Sequence, residues 1–206
     1  DGEWDSAMGH YQAAGEIEPA ADLVERVGEE MMQSGRWSTL YRWLDSLPTA
    51  VIDSRAKLSL YRGRTYLWGG ELDRAIAYLD RSSARYRLLG DPDGAAGALT
   101  LKSVGLRAKG RLAEAMDACR EALALQQNLP SRIAAEAYRD IGICLASQGR
   151  LSEAAGQLQR ALEIYESIED EAGAATICQA MGVLAVRTGD LARGMAHYQR
   201  ALSAWQ

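Results

Sequence analysis

Residues 149–161 read GRLSEAAGQLQRA and follow directly on residues 138–148, YRDIGICLASQ. Gly149 separates two segments of helical periodicity, where a left-handed residue ends a helix at least cost. After it come bulky Leu151, small Ala154, larger Leu158 and small Ala161, all on one helical stripe. Seven residues before it stands Gly142, with Tyr138 and Ile141 nearby. Glycine inside a helix costs about 1 kcal/mol relative to alanine, and close approach of a second helix supplies the reason for it. The stretch therefore reads as two antiparallel helices, A then B, joined by a glycine turn.

The same pattern recurs along the chain. Ten-residue copies start at Gly2 (GEWDSAMGHY), Gly35 (GRWSTLYRWL), Gly70 (GELDRAIAYL), Gly110 (GRLAEAMDAC) and Gly189 (GDLARGMAHY). The glycines lie 33, 35, 40, 39 and 40 residues apart along the series. The bulky position two residues on holds Trp4, Trp37, Leu72, Leu112 and Leu191, and the small position five residues on holds Ala7, Ala75, Ala115 and Gly194. Gly28, Gly63, Ser103 and Gly182 repeat the internal small residue of helix A. Leu40 and Leu47 replace the small residues of the copy at Gly35. Such a period signals a stacked array in which each unit buries its apolar face on the next. The expectation is an all-α solenoid of about eleven helices, one domain over 1–206. A lone B helix within 1–18 precedes hairpins over 19–48, 49–90, 91–129, 130–169 and 170–206. Asp91 with Pro92 and Pro19 after AGEIE mark helix starts, and LPTAVIDS and NLPSR mark joints.

Tyr138-x2-Ile141-Gly142-x2-Leu145, then Gly149, Ala154-x3-Leu158 and Ala161 resemble the tetratricopeptide repeat, W-x2-L-G-x2-Y then A-x3-F then A. The resemblance covers nearly the whole chain and is most specific in the last three repeats. It implies a right-handed superhelix with the A helices lining a concave face.

Composition excludes several function classes. The chain has 206 residues, 48% hydrophobic and 25% charged, which suits a folded protein rather than a disordered tail. A net charge of −5 argues against broad nucleic-acid affinity. No apolar run approaches the roughly 18 residues of a membrane span, and the start has no secretory signal pattern. Cys119, Cys144 and Cys178 are odd in number and lack metal spacing, which fits reduced thiols in a cytoplasm. Cys119 and Cys178 fall on core registers, whereas Cys144 is expected to be partly exposed. The start at Asp1 without methionine reads as a fragment of a longer protein.

No catalytic constellation emerges, and neither a cofactor nor a metal is expected. Residues 105–112, GLRAKGRL, imitate a phosphate loop, but Arg111 and Leu112 stand where Lys and Ser or Thr are required. His10 and His197 share one repeat register and read as interhelical or surface histidines. The acidic run Glu169-Asp170-Glu171 reads as a cap for the following helix.

The tetratricopeptide resemblance implies ligand positions two, three, six and ten residues before each turn glycine. These are Trp68, Leu67, Arg64 and Leu60; Ala108, Arg107, Val104 and Thr100; Ser147, Ala146, Ile143 and Arg139; Arg187, Val186, Val183 and Gln179. Tyr61 shares a helical face with Arg64 and Trp68. Four arginines would thus enter one groove of an acidic protein, which suits an anionic or mixed apolar–anionic peptide, protein or small inducer. The plainer alternative is a solvated face with intrahelical ion pairs. Leu191, Tyr198, Leu202 and Trp205 on the last helix predict end-to-end self-association.

Residues 20–79, with the WLDSLP segment and GGELDRAI, also resemble the start of the sensor arm in MalT-like regulators, a group of STAND-class ATPases. That resemblance implies a bacterial signal-transduction and transcription-regulation setting, with an inducer or partner bound by the arm. The alternative is a general peptide-docking scaffold. The Lys/Asn carboxylate-clamp subtype is disfavoured by a single asparagine, Asn128.

Overall fold

The computed structural model describes residues 2–127 and 129–203. They form twelve helices and no strand: α1 (Gly2–Ala14), α2 (Ile17–Gln33), α3 (Trp37–Ser46), α4 (Thr49–Ser54), α5 (Ala56–Trp68), α6 (Leu72–Leu88), α7 (Pro92–Ala108), α8 (Leu112–Leu125), α9 (Arg132–Ser147), α10 (Leu151–Ser167), α11 (Glu171–Arg187) and α12 (Leu191–Ser203). The chain forms two compact units, Asp1–Gly105 and Leu106–Gln206.

The glycine turns take the conformation that their spacing predicts. Gly149 has φ +80°. Its N–H reaches the Ala146 carbonyl at 3.1 Å, while the Arg150 N–H reaches Leu145 at 3.0 Å. This is the Schellman arrangement, which satisfies orphan carbonyls at a helix end. The same pair of bonds closes the turns at Gly35, Gly70, Gly110 and Gly189. The first copy departs from it, because Gly2 simply opens α1. The return turns use the same bonds at Gly15, Gly90 and Glu169. Glu169 takes φ +56° without the freedom of a glycine.

Side-chain caps define the starts of α7, α9 and α11. The Asp91 carboxylate accepts from the Gly94 N–H at 2.8 Å, and Asp170 accepts from Gly173 at 2.8 Å. Ser131 caps α9 through the Ala134 N–H at 3.0 Å. Each aspartate cap also brings a glycine under a tyrosine of the preceding B helix. A Cβ on Gly173 would lie 2.2 Å from the Tyr165 ring, and one on Gly94 2.5 Å from Tyr86. Burial pushes the Tyr165 hydroxyl up to about 12, with Glu136 adding to the shift and Arg139 opposing it.

The small residues inside the A helices have the packing role that their register implies. A Cβ on Gly63 would meet Leu79 at 2.6 Å, one on Gly142 Leu158 at 3.0 Å, and one on Gly182 Tyr198 at 2.7 Å. In each case the partner sits nine residues after the turn glycine of the same hairpin. Gly28 breaks the rule, since its Cβ would strike the Tyr61 ring of α5 at 2.5 Å.

One helix exceeds the sequence expectation. LPTAVIDS is not a plain joint: Leu47 is extended before Pro48, which ends α3, and α4 follows at once. Ile52 holds this single turn in the core at 1% exposure. The Ser59 hydroxyl donates to the Ile52 carbonyl at 2.9 Å. Arg55, between α4 and α5, reaches Asp22 at 2.6 Å and Glu25 at 3.3 Å, and also pairs with Glu18 on the same face of α2. α2 begins at Ile17, two residues before Pro19.

Candidate functional site

The A-helix positions divide between the two units. In the first unit, Arg64 donates to Glu29 at 2.7 Å, and its guanidinium lies 5.8 Å from the Trp37 ring centre. Trp37 stacks on Trp68 with centroids 6.3 Å apart and planes 11° from parallel. Trp68 is 60% exposed, so this edge ends in an open aromatic face. The two tryptophans flank successive glycine turns, so the stack joins two hairpins; only their repeat register hinted at it.

Tyr61 and Thr100 do not belong to a groove. Tyr61 is buried at 1% exposure in the core of the first unit, against Gly28. Desolvation raises the pKa of its hydroxyl, and Glu29 adds to the rise. Thr100 is buried at 3%, and its hydroxyl donates to the Ala96 carbonyl of its own helix at 3.0 Å. The helical face inferred from Tyr61, Arg64 and Trp68 turns inward at Tyr61 because Gly28 leaves space for the ring.

In the second unit, α9 and α11 lie side by side and line an open pocket of about 240 Å³. Its lining includes Ile143 and Ala146 from α9, Ala180, Val183 and Arg187 from α11, and Leu158 from α10. Ile143, Val183 and Arg187 thus converge as their register predicts. Val183 is 48% and Val186 44% exposed, unusual values for apolar residues inside a helix array. Gln179 is exposed two turns before Arg187.

The four arginines differ in availability. Arg64 is taken up by Glu29. Arg139 donates from Nε and Nη2 to one oxygen of buried Asp140, both at 3.1 Å. Burial disfavours the Arg139 charge, but Asp140 more than offsets this and raises its pKa. Arg107 and Arg187 form no ion pair among the described residues, and the buried Nε of Arg107 lacks a hydrogen-bond partner. Cys144, expected to be partly exposed, is 1% exposed because it faces the packed side of α9. Burial pushes its thiol pKa up, and Arg107 partly opposes that rise. Cys119 and Cys178 are buried as their registers indicate. No group of three or more metal-ligating side chains forms among the described residues. No helix among them is long and apolar enough to cross a membrane.

These features define an all-α solenoid of helical hairpins of the tetratricopeptide type. Residues 104–167 match the family profile described as tetratricopeptide repeat. Solved structures share the fold over most of the chain. BtubC (BKLC) from P. vanneervenii is 18% identical with a TM-score of 0.72, covering 98% of this chain and 88% of its own. A Rap protein in complex with Competence and Sporulation Factor is 14% identical with a TM-score of 0.78, covering 90% of this chain and 54% of its own. MamA from Desulfovibrio magneticus RS-1 is 16% identical with a TM-score of 0.61, covering 90% and 94%. No curated protein matches the chain significantly.

Proposed function

We propose that the chain is a non-catalytic binding module that holds a protein or peptide segment along the face shared by α9 and α11. The observation that carries this reading is the apolar pocket lined by Ile143, Ala146, Ala180 and Val183, whose lining also includes Arg187, a residue with no ion pair among the described residues. An apolar side chain of the ligand enters the cavity, and a neighbouring carboxylate meets Arg187. Arg107, which forms no ion pair among the described residues, extends the cationic character of the A helices. The likeness to a Rap protein solved with Competence and Sporulation Factor supports a bound partner. A carboxylate buried against arginine exchanges hydration for charge-assisted hydrogen bonds, so the contact confers orientation as well as affinity.

The test is selection of peptides from a displayed library on the intact chain. Val183→Asp and Arg187→Ala are expected to weaken the selected peptides at least about tenfold each, which is about 1.4 kcal/mol. Unchanged affinity in both variants removes this face as the binding site.

In a second reading the module is the sensor arm of a MalT-like STAND regulator in a bacterial cytoplasm, occupied by a small inducer or partner protein. The run from Ala20 to Leu79 favours it. Ligand binding would then act through unequal affinity for two states of a longer protein. An ATPase of that protein that responds normally with residues 1–206 deleted contradicts this setting and leaves the scaffold reading.

A further inference from the structure

A second pocket, of about 230 Å³, lies in the second unit between α10, α11 and α12. Its apolar lining includes Met181, Leu184 and Ala185 of α11, all buried, together with Ala155 of α10. The repeat register explains the space. Six residues after the turn glycine, Ile76 and Met116 are buried at 8% and 5% exposure, whereas α10 holds Ala155 there. Leu184 stands where α7 has Gly105 and α9 has Cys144, and offsets part of the missing volume. α12 contributes Arg193 and His197, one helical turn apart. Neither forms an ion pair or a side-chain hydrogen bond among the described residues. Asp190 also lines the pocket, but its Oδ1 accepts from the Arg193 N–H at 3.0 Å as the helix cap. Burial lowers the His197 pKa, with Arg193 and Arg200 adding to the effect, so the neutral ring keeps one N–H to donate. Leu184 also lines the α9–α11 pocket, and no other residue is common to the two. On α10, Ala155 faces the hairpin that follows; the same register of α12 is Met195, which does not line the pocket. A hairpin added after α12 would therefore cover Met195 and leave Arg193 and His197 as they are.

We propose that this pocket binds a segment of a partner protein that carries one large apolar side chain beside a carboxylate, at a site separate from the face shared by α9 and α11. The apolar side chain enters where Ala155 leaves space, a register that isoleucine and methionine fill in the earlier hairpins. The carboxylate meets the Arg193 guanidinium, and His197 donates a further hydrogen bond to it. Of the two formal charges in the lining, Asp190 caps the helix and Arg193 is unpaired, which favours an anionic occupant. The pocket is smaller than the roughly 300–1,000 Å³ of a small-molecule site, so it suits one side chain of a larger partner. One side chain and one charge contact make a weak site, with a dissociation constant on the order of 1 mM.

Chemical-shift mapping by NMR on the intact chain tests this. The probes are acetylated hexapeptides that hold one leucine, methionine or phenylalanine next to one glutamate, among serines and glycines. The expected result is saturable shifts at Ala155, Ala185, Arg193 and His197. They should be lost in Ala155→Met and weakened at least about tenfold by Arg193→Glu, or by glutamine in place of the peptide glutamate. Both variants should keep the fold, because methionine is native to this register at Met116 and Arg193 is exposed. Val183→Asp, which disables the α9–α11 face, should leave these shifts unchanged, and this separates failure of one site from failure of the other. No saturable shift at these residues with any probe, affinity indifferent to both Ala155→Met and Arg193→Glu, or loss of the shifts in Val183→Asp overturns the proposal. Isocaproate binding as tightly as the peptides overturns the assignment to a protein segment.

Discussion

Gly28 and Tyr61 show what a single hydrogen in place of a methyl group does here. The Tyr61 ring occupies the volume that a Cβ on Gly28 would fill, 2.5 Å from the ring edge. Gly28→Ala is expected to lower stability by about 1–3 kcal/mol through overpacking, partly offset by the better helix propensity of alanine. Chemical denaturation measures this, and adding Tyr61→Leu should recover part of the loss. The register of the internal small residues was legible in the sequence as a repeated exception to helix propensity. The partner of Gly28 was not, because the same register pairs with its own hairpin at Gly63, Gly142 and Gly182. Hence Tyr61, which periodicity aligns with Arg64 and Trp68, is a core residue. Tyr165 gives a pH prediction. Its folded pKa, about 12, lies above the ordinary value of 10.0 because burial disfavours the phenolate. Its contribution is fully present below pH 10 and is lost as pH rises towards 12, since the unfolded chain releases the proton first. Tyr165→Phe should flatten that alkaline fall in a denaturation series; an unaltered slope assigns the fall to other groups.

At the scale of the element, the turns decide where helices stop. Glu169 adopts a left-handed backbone, as Gln127 does after α8, at a position where Gly15 and Gly90 serve two other return turns. Glu169→Gly should therefore raise stability by about 0.5–1 kcal/mol, the relief of backbone strain exceeding the extra entropy of the unfolded glycine. Asp170→Ala removes the acceptor for the Gly173 N–H and should cost about 1 kcal/mol. Thermal melts of the two variants should move in opposite directions. The aspartate caps were readable because Asp and Pro occupy positions with one backbone requirement. α4 was not, since six residues span less than two turns and show no periodicity; Ile52 and the contacts of Asp53 with Arg81 and Arg85 hold it. The cavity between α9 and α11 was legible as a set of offsets, but the choice among its arginines was not. Asp140 lies beside Arg139 in sequence without revealing that it is buried and claims that guanidinium. Arg187 forms no ion pair among the described residues.

At the scale of the whole molecule, the repeat explains both stability and exposure. Leu162 is nearly fully buried where α11 follows α10, whereas Leu202, in the same register of α12, is 64% exposed. In such an array, stability is close to a sum of units and nearest-neighbour contacts. Removing residues 170–206, followed by amide hydrogen exchange, tests this most directly. The account predicts lost protection in α10 with retained protection in α2, α5, α8 and α9. Loss of protection throughout the shortened chain would contradict it.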